Sequence, residues 1–375
     1  MKRKASLSFI TITTAILVLL PMSLVVFGQE AASGGTDSPE RVWQENNTAY
    51  LNSYWFSGIE PLTEEQMKER VHELSQYRIK YQLADIGVLV SNGGALNGSL
   101  PEQGYAELAR WMKVSREAAP DQRIIVMVND GSRYAWKNGK RVGNPNFGNA
   151  VYNANLRAVA DKFVNQGVSY EGKQYKADGI QLDIEGFLPD DAKLQKTARV
   201  VKGVLGEGAI FSIAAPADPA VWSDAYIREM AGIFNMLNPM MYDQQGGDSK
   251  IVSSETYRDF WKTTIVRYAH AIASSGHPET KLNPTMPAYE RKMTEAGVVY
   301  HDPEIENVKN AAQGLKEARL QLALDRTANP LLNPNGVHGA GLFWWSAFIR
   351  PGADPRTGYD GSQERIDWME RWVHP

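Results

Sequence analysis

Between positions 177 and 187 the chain reads Ala-Asp-Gly-Ile-Gln-Leu-Asp-Ile-Glu-Gly-Phe, and its polar residues Gln181, Asp183 and Glu185 alternate with Ile180, Leu182 and Ile184. A period of two predicts a strand, with the three polar side chains on one face. Side chains two apart on a strand stand roughly 6.5 Å from each other at their roots. At that spacing one carboxylate can shift the pKa of the other, and both can reach one small polar ligand such as a sugar ring. Two acids set among apolar residues are costly to bury, so the pattern marks either a working pair or a strand end whose acids bond to neighbouring loops.

The elements that must position this pair follow from the rest of the chain. Short apolar runs at 50–56, 86–90, 124–128, 179–184, 210–214, 236–241, 282–285 and 340–345 alternate with helical patterns. Thr63 with Gln66, and Ser99 with Glu102, have the spacing of helix-opening capping boxes. Eight strands separated by helices predict an α/β fold, a single (β/α)8 TIM barrel. In such barrels the working residues sit at the C-terminal ends of the strands, where Asp183 and Glu185 fall in the fourth. A doubly wound sheet lacks its usual sign, since Gly206-Glu207-Gly208 precedes a strand instead of following one and reads as a turn.

At 375 residues with a formal net charge of −3, the chain suits one large barrel and gives no basic surface for nucleic acid. Cysteine is absent, which excludes disulfides and thiolate metal sites. The six histidines show no H-E-x-x-H spacing, so neither a metal nor any other cofactor is expected. Lys2-Arg3-Lys4 ahead of an apolar run predicts that 1–28 is a signal peptide or, uncleaved, a membrane anchor. A linker rich in Gly, Ser and Ala is expected over 29–42 and the barrel over 43–375. The expected product is exported or anchored outside the cytoplasm, and monomeric.

The stretch Asp178-Gly179-Ile180-Gln181-Leu182-Asp183-Ile184-Glu185 resembles the D-G-x-D-x-D-x-E signature of family 18 glycoside hydrolases, the chitinase and endo-β-N-acetylglucosaminidase family. Asn238-Pro239-Met240-Met241-Tyr242-Asp243 is similar to that family's M-x-Y-D/N element, and Gly339-Ala340-Gly341-Leu342-Phe343-Trp344-Trp345-Ser346 looks like its last strand. The resemblance implies a substrate built on β-1,4-linked N-acetylglucosamine, in chitin, peptidoglycan or an N-glycan core. It implies Glu185 as general acid and base, and Asp183 as the group that steers the substrate acetamide. Tyr242 would bond to the N-acetyl group, and Asp243 would hold the sugar or tune the acid. By the same resemblance Trp345 would form the floor under the scissile sugar, and because adjacent residues of a strand face opposite ways, Trp344 is then expected between barrel and helices. Among other aromatics, Trp222 and Tyr289 follow predicted strand ends and Tyr54 lies at the first, so each is a candidate sugar contact.

The sequence departs from the family at Gln181, which stands where an inner Asp is usual. Its amide is expected to donate to the Asp183 carboxylate and lower that pKa. The third strand ends in Asn129-Asp130-Gly131, where Ser-x-Gly-Gly is frequent. The span between the seventh and eighth strands reads as helix over 303–326, with no strand-rich insertion, which points to a shallow groove and internal cleavage. The competing readings are a carbohydrate-binding barrel without turnover and a conventional glycosidase with Asp243 or Asp183 as nucleophile. Sugar-binding members of the family commonly lack the catalytic Glu, whereas Glu185, Asp183 and Tyr242 are all present here.

Overall fold

The structure is a computed structural model that describes residues 42–51, 53–56, 61–88, 102–130, 136–137, 140–245, 249–330, 332, 337–350 and 352–375. The expected signal peptide or anchor, most of the expected linker and the Ser99 cap lie outside these residues. All described residues belong to one compact unit, Ser38–Pro375. Among them, no helix is long and apolar enough to cross a membrane.

Eight parallel strands close into a barrel in chain order. They are Asn47–Leu51, Ile79–Val88, Arg123–Asn129, Gly179–Asp183, Ile210–Pro216, Met236–Met240, a seventh in two pieces (Lys281–Leu282 and Thr285–Pro287), and Gly341–Phe343. Closure is made where Thr48 of the first strand pairs with Gly341 of the eighth. The predicted (β/α)8 barrel is therefore the fold, although several boundaries move. The first strand ends at Leu51, and Ser53–Trp55 is a short 3-10 turn. The eighth ends at Phe343, after which Trp345–Phe348 is helical. Between the seventh and eighth strands a small antiparallel hairpin pairs Lys292–Met293 with Val299–His301, an element the sequence pattern does not announce.

The alternation that predicts the fourth strand also sorts its side chains. Ile180, Leu182 and Ile184 are fully buried between barrel and helices, each contributing about 1.5–3 kcal/mol of apolar burial. Gly179 opens the strand because a Cβ there would stand 2.0 Å from the carbonyl oxygen of Ile210 on the fifth. Around the barrel, helices are pinned by local bonds that the sequence encodes. The Thr63 capping box opens Glu64–Gln76, with the Gln66 amide nitrogen donating to Thr63 Oγ1 at 3.2 Å and the Thr63 amide to Gln66 Oε1 at 2.8 Å. The helix predicted over 303–326 is Val308–Asp325, capped by Asn307.

Inside, Tyr50, Tyr81, Leu83, Ile125, Met127 and Met236 fill the barrel. Above them is a polar layer. Gln181 accepts from Ser212 Oγ at 2.7 Å and from Asn238 Nδ2 at 2.6 Å, and its own amide donates to the Tyr50 hydroxyl at 3.1 Å. The floor of the site is thus an uncharged hydrogen-bond network in which the Gln181 amide is paired at both its oxygen and its nitrogen, while the buried Asn238 Oδ1 is left without a partner among the described residues.

Candidate functional site

The second, third and fourth strands bring acids to one end of the barrel. Asp183 lies beside Asn129 in the parallel register, and Asp85 pairs with Met127 near the end of the second strand. Asp130 follows directly on the third strand. Its Oδ2 accepts from Asn144 Nδ2 at 2.6 Å, Asn146 Nδ2 at 3.2 Å and the Tyr152 hydroxyl at 3.3 Å. Asn144 also donates to the Glu185 carbonyl at 2.8 Å, so one side chain ties the loop after the third strand to the end of the fourth.

Asp183 is half-buried, and Glu185, two residues on, is exposed to solvent. Burial is the first cause that pushes the Asp183 carboxyl up, to about 7, followed by the negative charges of Glu185, Asp85 and Asp130. This reverses the expectation that Gln181 would lower it. The Gln181 amide is spent on Tyr50, and no protein donor among the described residues bonds to the Asp183 carboxyl. Asp85 is also raised, by burial, against one bond from the Gly87 amide at 2.8 Å. Neither Asp85 nor Asp130 is singled out by the sequence pattern, although Asp130 sits in the unusual Asn129-Asp130-Gly131 strand end.

An aromatic wall from the other side of the barrel faces these acids. Tyr242, just past the sixth strand, is buried and stacks on Phe343 at 4.8 Å and 6°, with Tyr289 edge-on at 6.0 Å. Its hydroxyl has no hydrogen-bond partner among the described residues. Burial comes first in raising its pKa well above the ordinary phenol value, and the charges of Asp183, Glu185 and Asp243 add to that. Asp243 adopts φ +57°, a left-handed conformation that costs a non-glycine residue about 1–2 kcal/mol. Its carboxylate accepts from the Tyr289 hydroxyl at 2.6 Å.

Asp183, Glu185, Tyr242, Asp243 and Tyr289 are thus brought to one end of the barrel. Gln181 lies beneath them, fully buried, where no ligand entering from that end touches it directly. Trp345 is not the floor. It is 1 % exposed in the helix after the eighth strand, packed against Tyr77 and Phe348 behind the barrel. Trp344, expected behind the strand, is 43 % exposed instead, edge-on to Phe343. Strand parity misassigns both because the strand stops at Phe343, and Phe343 is the ring that faces the site. Trp222 is likewise a core residue, fully buried against Phe187 and Tyr226. Tyr54 is 55 % exposed on the turn after the first strand.

The chemistry on offer is a cluster of mutually repelling acids facing a phenol whose hydroxyl has no partner among the described residues, beside a wall of stacked rings. The sequence matches no family model and no curated protein. Similar solved structures include a chitinase from Bacteroides thetaiotaomicron, 12 % identical over 80 % of this chain and 89 % of that one, TM-score 0.46. A tamarind chitinase-like lectin is 13 % identical over 80 % and 94 %, TM-score 0.46. A family 18 N-acetylglucosaminidase from Paenibacillus barengoltzii is 14 % identical over 80 % and 94 %, TM-score 0.45.

Proposed function

We propose that this barrel is a retaining glycosidase of the family 18 type, acting on β-1,4-linked N-acetylglucosamine glycans outside the cytoplasm. The observation that carries the reading is the Tyr242 hydroxyl. It projects from an otherwise buried ring, has no protein partner among the described residues, stays open to solvent, and lies within electrostatic reach of both Asp183 and Glu185. A hydroxyl that no protein group occupies is free to donate to a ligand, and an acetamide oxygen is an acceptor of the right kind.

In this reading the sugar lies over Phe343 and Tyr242, its apolar face on the rings. Glu185, exposed at the strand end, donates a proton to the glycosidic oxygen as the bond to the anomeric carbon breaks. The acetamide oxygen forms the new bond to that carbon, so no enzyme carboxylate serves as nucleophile. The ionised form of Asp183 accepts from the acetamide N–H and offsets the positive charge that develops. Water then opens the ring, giving its proton to Glu185. Burial first, then the charges of Glu185, Asp85 and Asp130, hold the Asp183 carboxyl at about 7 instead of at an ordinary carboxylate value.

A sugar-binding barrel without turnover is the second reading, favoured by the substitution of the inner acid by Gln181. Fluorogenic chitobiose and chitotriose glycosides, with and without a thiazoline analogue of the cyclic intermediate, separate the two. Turnover blocked by the analogue is the expected result. Binding of chitotriose without turnover selects the lectin, and hydrolysis of plain glucosides refutes substrate assistance.

A further inference from the structure

Beside the acids and rings lies a buried pair that the reaction above does not use. His301, at the end of the hairpin between the seventh and eighth strands, and Glu306 are both essentially inaccessible. His301 Nδ1 stands 3.0 Å from Glu306 Oε2, and its Nε2 stands 3.2 Å from the Tyr289 carbonyl oxygen. A carbonyl only accepts, so Nε2 carries a hydrogen. A second proton must then lie between Nδ1 and Oε2, and the pair is neutral as a unit whichever atom holds it.

The same two residues grip the chain on either side of the site. Glu306 accepts from the backbone amides of Asp243 at 2.8 Å and Gln244 at 2.9 Å, one to each oxygen. The imidazole stacks on the Tyr289 ring at 4.0 Å and 28°, and the Tyr289 hydroxyl in turn donates to Asp243 Oδ1 at 2.6 Å. Asp243 is therefore fixed twice, through its backbone by Glu306 and through its carboxylate by Tyr289, and both fixings run through His301.

Asp243, His301 and Glu306 place ligand atoms within 4.8 Å of one another, a spacing a cation could use. The hydrogen bonds argue against it. Two backbone N–H groups aim their positive ends at the Glu306 carboxyl, and the Nδ1 position that would bind a metal is taken up with the shared proton.

We propose that His301 and Glu306 are positioning residues, a proton-holding clamp that sets Asp243 in its left-handed turn and Tyr289 beside it, so that the Asp243 carboxylate faces the bound sugar. The functional half of this inference rests on the glycosidase reading. The geometric half does not.

The test is a set of variants assayed on a fluorogenic chitobioside, together with a crystal structure of His301→Ala. His301→Asn retains an N–H toward Glu306 while releasing Tyr289, and Glu306→Gln retains one acceptor for the backbone. These milder variants decide the matter if His301→Ala fails to fold. The expected result is a fall in kcat of about 100-fold for His301→Ala, the scale of a misplacement near 1 Å, with a smaller fall for His301→Asn and little change in KM. In the Asp243→Asn background, His301→Ala should add nothing further. In the crystal the Asp243 carboxylate and the Tyr289 ring should be displaced. Losses that multiply with Asp243→Asn, an unmoved Asp243 in the variant crystal, or loss of activity on chelation would each overturn the clamp. Should the wild-type chain hydrolyse no N-acetylglucosamine glycoside, the glycosidase reading fails, and the variant crystal alone still decides the clamp.

Discussion

The side-chain amide of Gln181 donates to the Tyr50 hydroxyl at 3.1 Å and not to Asp183, two residues along the same face of the strand. The residue that departs from the family signature is therefore part of the barrel floor, and it acts on the acid above only through the space it fills. Gln181→Asp would place a carboxylate among Ser212, Asn238 and Tyr50, close beneath Asp183. A second negative charge there raises the Asp183 pKa further. The acidic limb of the pH–rate profile is expected to move to higher pH, with a loss of thermal stability from the broken bond to Tyr50.

Asp85→Asn should have the opposite sign. It removes one of the charges that hold Asp183 up at about 7. The ionised form, which the proposed mechanism needs, then appears at lower pH. The limb should move to lower pH, the direction expected when one neighbouring negative charge is removed. An unshifted limb would mean that Asp183 does not control it.

Tyr242→Phe deletes a hydroxyl that has no protein partner among the described residues, so the melting temperature should hold or rise slightly. Turnover is expected to fall about 10²–10³-fold, the usual cost of losing one donor at the reacting group. A large stability loss with unchanged turnover would instead assign the hydroxyl to the core.

The two adjacent tryptophans separate packing from contact. Trp345→Ala empties a fully enclosed site behind the barrel and should destabilise by about 3–5 kcal/mol in a denaturant titration. Trp344→Ala removes an exposed ring and should change stability by no more than about 0.5 kcal/mol. Its effect, read by titration with chitotriose, is expected on affinity.

Glu364 links stability to pH through a carboxyl that the proposed reaction does not use. Buried against the amide of Val308, its carboxyl is pushed up to about 8, burial first and the charge of Asp367 adding to it. An acid raised in the folded state binds its proton more tightly there than in the unfolded chain. Its contribution is therefore complete below about pH 4.5 and is lost as pH rises toward 8. Glu364→Gln should flatten the fall in melting temperature across that window.

Much of the fold can be read from the linear sequence because its signals are local. Alternation of Ile180, Leu182 and Ile184 with polar residues marks a strand, and the Thr63–Gln66 spacing marks a helix start, without reference to anything distant. The motif residues Asp183, Glu185 and Tyr242 are legible for the same reason. What the sequence could not supply is where each strand stops and which partners a polar group finds. The eighth strand ends at Phe343, two residues sooner than its apolar run, and that alone exchanges the environments of Trp344 and Trp345. The Gln181 amide, the shift of Asp183 and the hold of Glu306 on the Asp243 amide depend on contacts between segments far apart in the chain. Side-chain chemistry is written residue by residue, but desolvation and hydrogen-bond pairing exist only once the barrel has closed.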